Sequence, residues 1–247
     1  MPLVLAHRGA NKRAPQNTLP AFQKAVEFNA DGIETDVHLC KDGEIVICHN
    51  YTVDATSNGT GSIDEMTLAQ LRQLDFGSYF SKDFKGVTLP TLAELIGVVK
   101  NMNLINIEIK PPLKENDLVK RVVDEVYKFG IEKNTIISCF DPECIRLVKE
   151  IAPSLKTGLL YEEGDLGNEI MNFGVTKYCQ QLKADAAHPE YFLLTEDLVC
   201  DLHANGIAVN PWTVNKKEDI IKYTKWGCDA LITDVPDFCI EVLKEIE

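Results

Sequence analysis

The chain has 247 residues, 45% of them hydrophobic, and a formal net charge of −13. That length suits one α/β barrel better than two ordinary domains, and the apolar share is ample for a sizeable core. The acidic balance argues against nucleic acid and anionic membranes as partners, since both need a basic face, and leaves small phosphates open to a local Arg or Lys cluster. No stretch approaches the roughly 20 apolar residues of a membrane-spanning helix. Leu3-Val4-Leu5-Ala6 already reads as a first strand, which leaves no room for a signal peptide, so the expected location is cytoplasmic. Cys40, Cys48, Cys139, Cys144, Cys179, Cys200, Cys228 and Cys239 form no C-x-x-C pair, and their scatter predicts buried thiols in a reducing compartment.

In chain order the segments alternate. Residues 3–6 read as a strand. Residues 18–29 carry helical spacing through Leu19, Phe22, Ala25 and Val26. The next strand, 32–39, places Glu34 and Asp36 two apart and therefore on one face. A strand over 44–48 follows the Asp42-Gly43 turn signal. Residues 50–91 break the rhythm. Asn58-Gly59-Thr60-Gly61 reads as a turn-rich loop, 67–74 as a short helix, and Phe76, Tyr79, Phe80 and Phe84 as an aromatic cluster. This stretch holds too few apolar residues for a second core, so it is expected to fold over one mouth of the barrel as a small insertion within a single domain spanning 1–247.

Regularity then resumes. Helices are predicted over 91–100, 115–129, 142–151, 165–181 (interrupted near Gly174), 196–205, 216–226 and 237–246. Strands are predicted over 104–109, 135–140, 157–160, 184–187, 207–210 and 230–233. Asp141 followed by Pro142 marks one helix start, and Gly206 marks one helix end. Strands alternating with helices predict a parallel α/β architecture, in keeping with an α/β barrel.

Charged groups recur where these strands run out, as a barrel active site requires. Glu34, Asp36 and Glu108 stand at the ends of two strands. Three carboxylates brought together repel one another unless one protonates or a hard divalent cation, Mg²⁺ or Ca²⁺, joins them. Surface ion pairs are the ordinary alternative for each acid taken alone. His7 and His49 each adjoin this acidic set in the chain and suit complementary proton transfers near neutral pH. His38 shares the Asp36 face but is expected to meet the insertion or solvent. His188 is a candidate for the cavity wall, and His203 is expected on a helix surface. Arg8 and Lys110 supply fixed cations for phosphate oxygens. No Gly-x-Gly-x-x-Gly follows the first strand and no Gly-x-Ser-x-Gly elbow is present. The residues by themselves point to metal-assisted cleavage of a phosphoester.

The ordered series His7-Arg8-Gly9, Pro15-Gln16-Asn17-Thr18, Asp31-Gly32-Ile33-Glu34-Thr35-Asp36-Val37, Lys41-Asp42-Gly43 and His49 resembles the glycerophosphodiester phosphodiesterase family. The likeness continues through Asn58-Gly59-Thr60-Gly61, Leu89-Pro90-Thr91-Leu92, Glu108-Ile109-Lys110-Pro111, Trp212-Thr213-Val214-Asn215 and Ile232-Thr233-Asp234-Val235-Pro236, nearly the whole chain. The resemblance implies a TIM (β/α)8 barrel with a small insertion after the second barrel strand, which hydrolyses glycerophosphodiesters to sn-glycerol 3-phosphate and an alcohol, a reaction of glycerol and lipid metabolism. It implies Glu34, Asp36 and Glu108 as ligands of a divalent cation, His7 and His49 as base and acid, and Arg8 and Lys110 on the phosphoryl oxygens. Trp212 is implied as a wall of the substrate cavity, with Phe140 and Tyr161 as further lining residues. The substrate's own hydroxyl would attack phosphorus to give a cyclic phosphate that water then opens.

Two positions depart from the family's usual pattern: Gln16 stands for Glu, and Asn50 for Asp beside His49. They motivate a second reading, a catalytically weakened barrel that binds phosphodiesters. A third keeps the fold as a phospholipase of C or D type acting on lysolipids or phosphoinositides, which the acidic charge and the lack of an apolar anchor disfavour. The partner expected is a small-molecule diester, with no stable membrane association. Leaving alcohol, choice of cation and oligomeric state are not legible in the chain.

Overall fold

The apolar run Leu3–His7 forms strand β1 of a computed structural model that describes residues 1–111 and 117–246. Eight further strands follow: β2 (Gly32–Leu39), β3 (Ile45–Ile47), β4 (Leu104–Ile109), β5 (Thr135–Cys139), β6 (Lys156–Tyr161), β7 (Ala186–Pro189), β8 (Ala208–Val209) and β9 (Ala230–Thr233). The helices are α1 (Leu19–Glu27), α2 (Leu68–Leu71), α3 (Leu92–Val99), α4 (Leu118–Phe129) and α5 (Pro142–Ile151). They continue as α6 (Asp165–Phe173), α7 (Val175–Leu182), α8 (Glu196–Ala204), α9 (Lys217–Lys225) and α10 (Pro236–Ile246).

All strands but β3 are parallel and run round a ring in the order β1, β2, β4, β5, β6, β7, β8, with β9 pairing back onto β1. The seam between β8 and β9 closes through backbone bonds from Asp229 N–H to Val209 O (2.9 Å), Ile232 N–H to Pro211 O (3.1 Å) and Val214 N–H to Ile232 O (2.9 Å). The fold is a TIM (β/α)8 barrel. β3 stands outside the ring, antiparallel to β2 in the register Val37↔Ile47, His38↔Val46 and Leu39↔Ile45. This hairpin turns at Gly43, whose φ of +85° lies in the region open to glycine.

Most of the apolar core lies between the sheet and the helices. There Ile33, Val37, Ile105, Ile107, Ile137 and Leu159 from the strands meet Phe22, Leu95, Val122 and Ile145 from the helices. Strand alternation sends the other side chains into the barrel, where Leu5, Ala230 and Ile232 form a small apolar cluster. Buried polar side chains share that interior: Asn106, Ser138, His188 and Asn210. Register then sets up the site. β1 pairs β2 at His7↔Glu34, and β2 pairs β4 at Glu34↔Asn106 and Asp36↔Glu108. Chemistry-bearing residues from distant stretches of chain are therefore lateral neighbours.

The stretch 50–91 packs Val53, Ile63, Leu71, Phe76 and Leu89 into a cluster of their own with Cys40, Val46 and Cys48. α2 is shorter than the helix expected over 67–74. Its start is fixed by a capping box between Thr67 and Gln70. Asn58 in the Gly-rich loop bonds the Asp75 backbone, the role of a turn. The helix expected over 115–129 is seen from Leu118, and its first two positions lie outside the described residues. The helix expected over 165–181 divides into α6 and α7 at Gly174, whose φ is +98°. β7 begins two residues later than expected, because Asp185 is used to hold the Thr157 N–H (2.7 Å) and Lys149 (2.6 Å) at the sheet's lower edge. All eight cysteines are free, seven of them buried. Among the described residues no helix is long and apolar enough to cross a membrane.

Candidate active site

A cavity of about 600 Å³ opens at the C-terminal ends of the barrel strands, lined by His7, Arg8, Glu34, His49, Asn50, Tyr51, Asn106, Glu108, Lys110, Pro111, Phe140, Leu160, Glu162, Trp212 and Ile232. Its position is the one where strand-end side chains of a barrel converge. His7 ends β1. Its Nδ1 lies 2.7 Å from Asp234 Oδ1, just past β9, and its Nε2 lies 3.8 Å from Glu34 Oε2. A carboxylate only accepts, so Nδ1 carries the proton and the neutral ring leaves Nε2 with a lone pair. Burial pulls the His7 pKa down, against the Asp234 bond that supports its charged form. Burial likewise works against the Asp234 carboxylate, but the bond to His7 prevails and holds it well below the usual carboxylate range.

Asp234 was not assigned a role from the sequence. The available signal was a carboxylate ending the last strand, which closes onto β1 once the sheet is a ring. Asp234 also accepts from Asn11 Nδ2 (2.5 Å) and Asn215 Nδ2 (2.9 Å), and Lys12 Nζ stands 3.5 Å away. Asn17 was also passed over. Its backbone takes a φ of +57° and its amide donates to Asp36 Oδ2 at 2.8 Å.

Glu34, Asp36 and Glu108 are buried, and each offers an oxygen within 4.8 Å of the others. Asp36 lies below the cavity wall. Lys110 Nζ reaches its Oδ1 at 2.8 Å and also pairs with Glu108 Oε1. Arg8 Nε stands 3.5 Å from Asp36 Oδ2. Burial disfavours the charged Asp36, but Lys110 and then Arg8 outweigh it and hold this carboxyl below its ordinary range. The same burial, joined by the Asp36 charge, pushes Glu108 up to about 7, and Glu34 is raised well above its ordinary value by burial, then Asp36, then Glu108. Burial opposes the charged Lys110 too, yet Asp36 and Glu108 keep its ammonium more firmly protonated than usual. Glu34 Oε1 is buried with no hydrogen-bond partner, while Oε2 accepts the Arg8 backbone N–H at 3.1 Å. Three carboxyls together, Glu34 and Glu108 held towards neutrality and one Glu34 oxygen orphaned, are the donor set that a hard divalent cation satisfies. These residues fit such a cation.

His49 follows β3 and is half-buried. Its Nδ1 lies 2.7 Å from Asn50 Oδ1, and its pKa is pulled down by burial against the favourable charge of Asp36. Arg8 Nη1 donates to Gln16 Oε1 at 2.7 Å, and the Gln16 N–H reaches Tyr79 Oη of the insertion at 3.2 Å. Both departures from the family pattern therefore touch side chains of the cavity. Trp212 sits edge-on to Phe140, ring centroids 5.6 Å apart, and its indole N–H donates to His188 O at 2.9 Å.

Two placements differ from expectation. Tyr161 does not line the cavity. Its chain neighbours, Leu160 on β6 and Glu162 just past it, face inward, and Tyr161, 1% exposed, packs with the helix layer. His188 lies inside β7, fully buried with Nε2 3.0 Å from Asn210 Nδ2, below the cavity and not on its wall. Burial lowers its pKa to about 3. His38 meets the insertion, as expected, and lies off the cavity wall. Its Nε2 meets His49 O at 3.3 Å, its ring packs on Tyr51, and burial lowers its pKa to about 4. His203 lies on α8 and bonds Asp229 Oδ2 at 2.9 Å.

The model of the glycerophosphoryl diester phosphodiesterase family matches residues 7–238. A glycerophosphodiester phosphodiesterase of Caldanaerobacter subterraneus subsp. tengcongensis is 38% identical over 245 residues, 98% of each chain. Among solved structures, an Oleispira antarctica phosphodiesterase in complex with the product sn-glycerol-3-phosphate superposes with a TM-score of 0.84. It is 26% identical, with 99% of this chain and 97% of that one covered. A Thermotoga maritima glycerophosphodiester phosphodiesterase superposes with a TM-score of 0.80 at 28% identity, covering 98% of each chain.

Proposed function

We propose, since this chain belongs to the glycerophosphoryl diester phosphodiesterase family, that it hydrolyses glycerophosphodiesters to sn-glycerol 3-phosphate and an alcohol by histidine acid–base chemistry beside a divalent cation. One observation carries the reading. The Asp234–His7 pair, His49, three buried carboxyls and the cations Arg8 and Lys110 meet at a single cavity. Redox chemistry has no use for that set, whereas phosphoryl transfer uses every part of it.

Glu34, Asp36 and Glu108 would hold Mg²⁺ or Ca²⁺, and a cation held there supplies Lewis-acid polarisation of the phosphate and of the attacking hydroxyl. His7 Nε2, kept free of a proton by the Asp234 bond to Nδ1, takes the proton of the substrate's glycerol hydroxyl as it attacks phosphorus. His49 in its imidazolium form gives its proton to the departing alcohol. The incoming phosphodiester anion favours that form, since negative charge beside an imidazole raises its proton affinity. Water then opens the cyclic phosphate with the two histidines in exchanged roles. Arg8 and Lys110 hold the non-bridging oxygens and stabilise the charge that builds on them. Asn50 orients His49 without adding charge, and Gln16 holds Arg8 without neutralising it. Both substitutions therefore tune the chemistry and leave its parts in place.

The test is release of sn-glycerol 3-phosphate from a panel of soluble glycerophosphodiesters with Mg²⁺, with Ca²⁺ and with EDTA. Release that requires a divalent cation is the expected result. Tight diester binding without release under any cation would replace the hydrolase with the binding-barrel reading.

A further inference from the structure

The cavity wall has two chemistries. His7 and Arg8 come from β1, and Glu34, Glu108 and Lys110 from β2 and β4. In the ring, β6 stands four strands from β1 in either direction. The residue that follows β6, Glu162, therefore faces Arg8 across the mouth. The lining on its side of the ring is Leu160 of β6, Phe140 after β5 and Trp212 after β8, so among the described lining residues Glu162 is the one charge on that apolar and aromatic side. Among the described residues no cation forms an ion pair with it, and its side chain is exposed to the cavity mouth. Trp212 is fixed in place by its bond to His188 O and by edge-on packing against Phe140. Glu190 stands close by, its pKa raised by burial and then by the charges of Glu162 and Glu163. The cavity is thus polarised, with Arg8 and Lys110 on one side and an unpaired carboxylate on an aromatic wall on the other.

We propose that Glu162, with Trp212 and Phe140, selects a leaving alcohol that carries an ammonium group, so that the preferred substrate is the zwitterionic diester of an amino alcohol. With the phosphate anchored at Arg8 and Lys110, the alcohol is directed to the opposite wall. An ammonium there gains from the carboxylate and from the faces of aromatic rings. A neutral polyol loses water to the apolar wall without that return, and an anionic alcohol is repelled. The inference rests on the hydrolase reading and adds to it the class of alcohol.

The experiment measures kcat/KM for sn-glycero-3-phosphocholine, sn-glycero-3-phosphoethanolamine and glycerophosphoglycerol, in the native chain and in Glu162→Gln and Glu162→Lys. The quantity read is the ratio of each ammonium substrate to glycerophosphoglycerol, which is independent of the fraction of folded enzyme. The native chain is expected to prefer the two ammonium substrates. Glu162→Gln should lower the ratio about two- to fivefold, the size of a partly exposed charge contact, and Glu162→Lys should lower it further. A ratio that neither variant moves, or a native preference for glycerophosphoglycerol, overturns the assignment. Hydrolysis of none of the three diesters with any cation would instead overturn the hydrolase reading, and the assignment with it.

Discussion

Replacing Asp234 by Asn tests the site at its least expected member. Asp234 Oδ1 receives His7 Nδ1 at 2.7 Å and Asn11 Nδ2, while Oδ2 receives Asn215 Nδ2 and faces Lys12. The Asn215 amide is itself fixed, because its Oδ1 accepts from Thr233 Oγ1 and from the Asp234 N–H. An Asn at 234 has one acceptor oxygen where the carboxylate had two. With Lys12 and Asn215 holding that oxygen, the amide NH₂ turns to His7 and forces Nδ1 to accept, which moves the ring proton to Nε2, the atom proposed as base. Losing a charge-assisted bond between groups whose side chains are 15% and 14% exposed removes about 1.5–3 kcal/mol from the imidazolium, roughly one to two pKa units. Turnover should fall about 10²–10⁴-fold, as expected when an orienting carboxylate is lost and the tautomer with it. The limb of the pH profile on which the base must lose its proton should move to lower pH. Steady-state kinetics from pH 5 to 9 read both effects, and nitrogen-15 NMR of the histidines reads the tautomer directly. Activity within threefold of the native chain, in a variant with unchanged thermal unfolding, would refute the pairing as part of the chemistry.

Cation binding should depend on pH. Glu108, pushed up to about 7, keeps a proton below that value which a cation must displace, so affinity for Mg²⁺ or Ca²⁺ is expected to fall about tenfold per pH unit below 7. Calorimetry on EDTA-stripped protein at pH 6 and 8 measures this, and equal affinities would contradict it. Asn50→Asp puts a carboxylate on His49 Nδ1 and stabilises its charged form. The limb on which the acid loses its proton should move up by about one unit, with turnover changed by less than about tenfold. An unmoved limb would remove His49 from the acid role. Gly158→Ala should destabilise the barrel by about 1–3 kcal/mol in urea unfolding, because the added Cβ would meet the buried His188 Nε2 at 2.4 Å. A variant as stable as the native chain would show that the interior has room to give.

The alternation of apolar strands with amphipathic helices, and the charged groups at strand ends, were legible in the sequence because both are local. Glu34 and Asp36 share a face through strand periodicity alone. His7, His49, Arg8, Glu108 and Lys110 all border the cavity for the same reason, each standing at or just beyond a strand end. What pairs with what was not local. Asp234 meets His7 across 227 positions of chain only because β9 closes onto β1, and a one-dimensional pattern carries no record of that closure. The inward turn of Glu162 in place of Tyr161, and the descent of His188 into the barrel beside Gly158, depend on register. A shift of one or two residues in where a strand begins exchanges the faces or the depth of its side chains, and only the hydrogen-bonded neighbours of β6 and β7 fix it. Local patterning settles which residue types stand at the strand ends, since apolar periodicity and its termination are properties of adjacent residues. Which of them touch follows from ring closure and register, which are set by pairing between strands far apart in the chain.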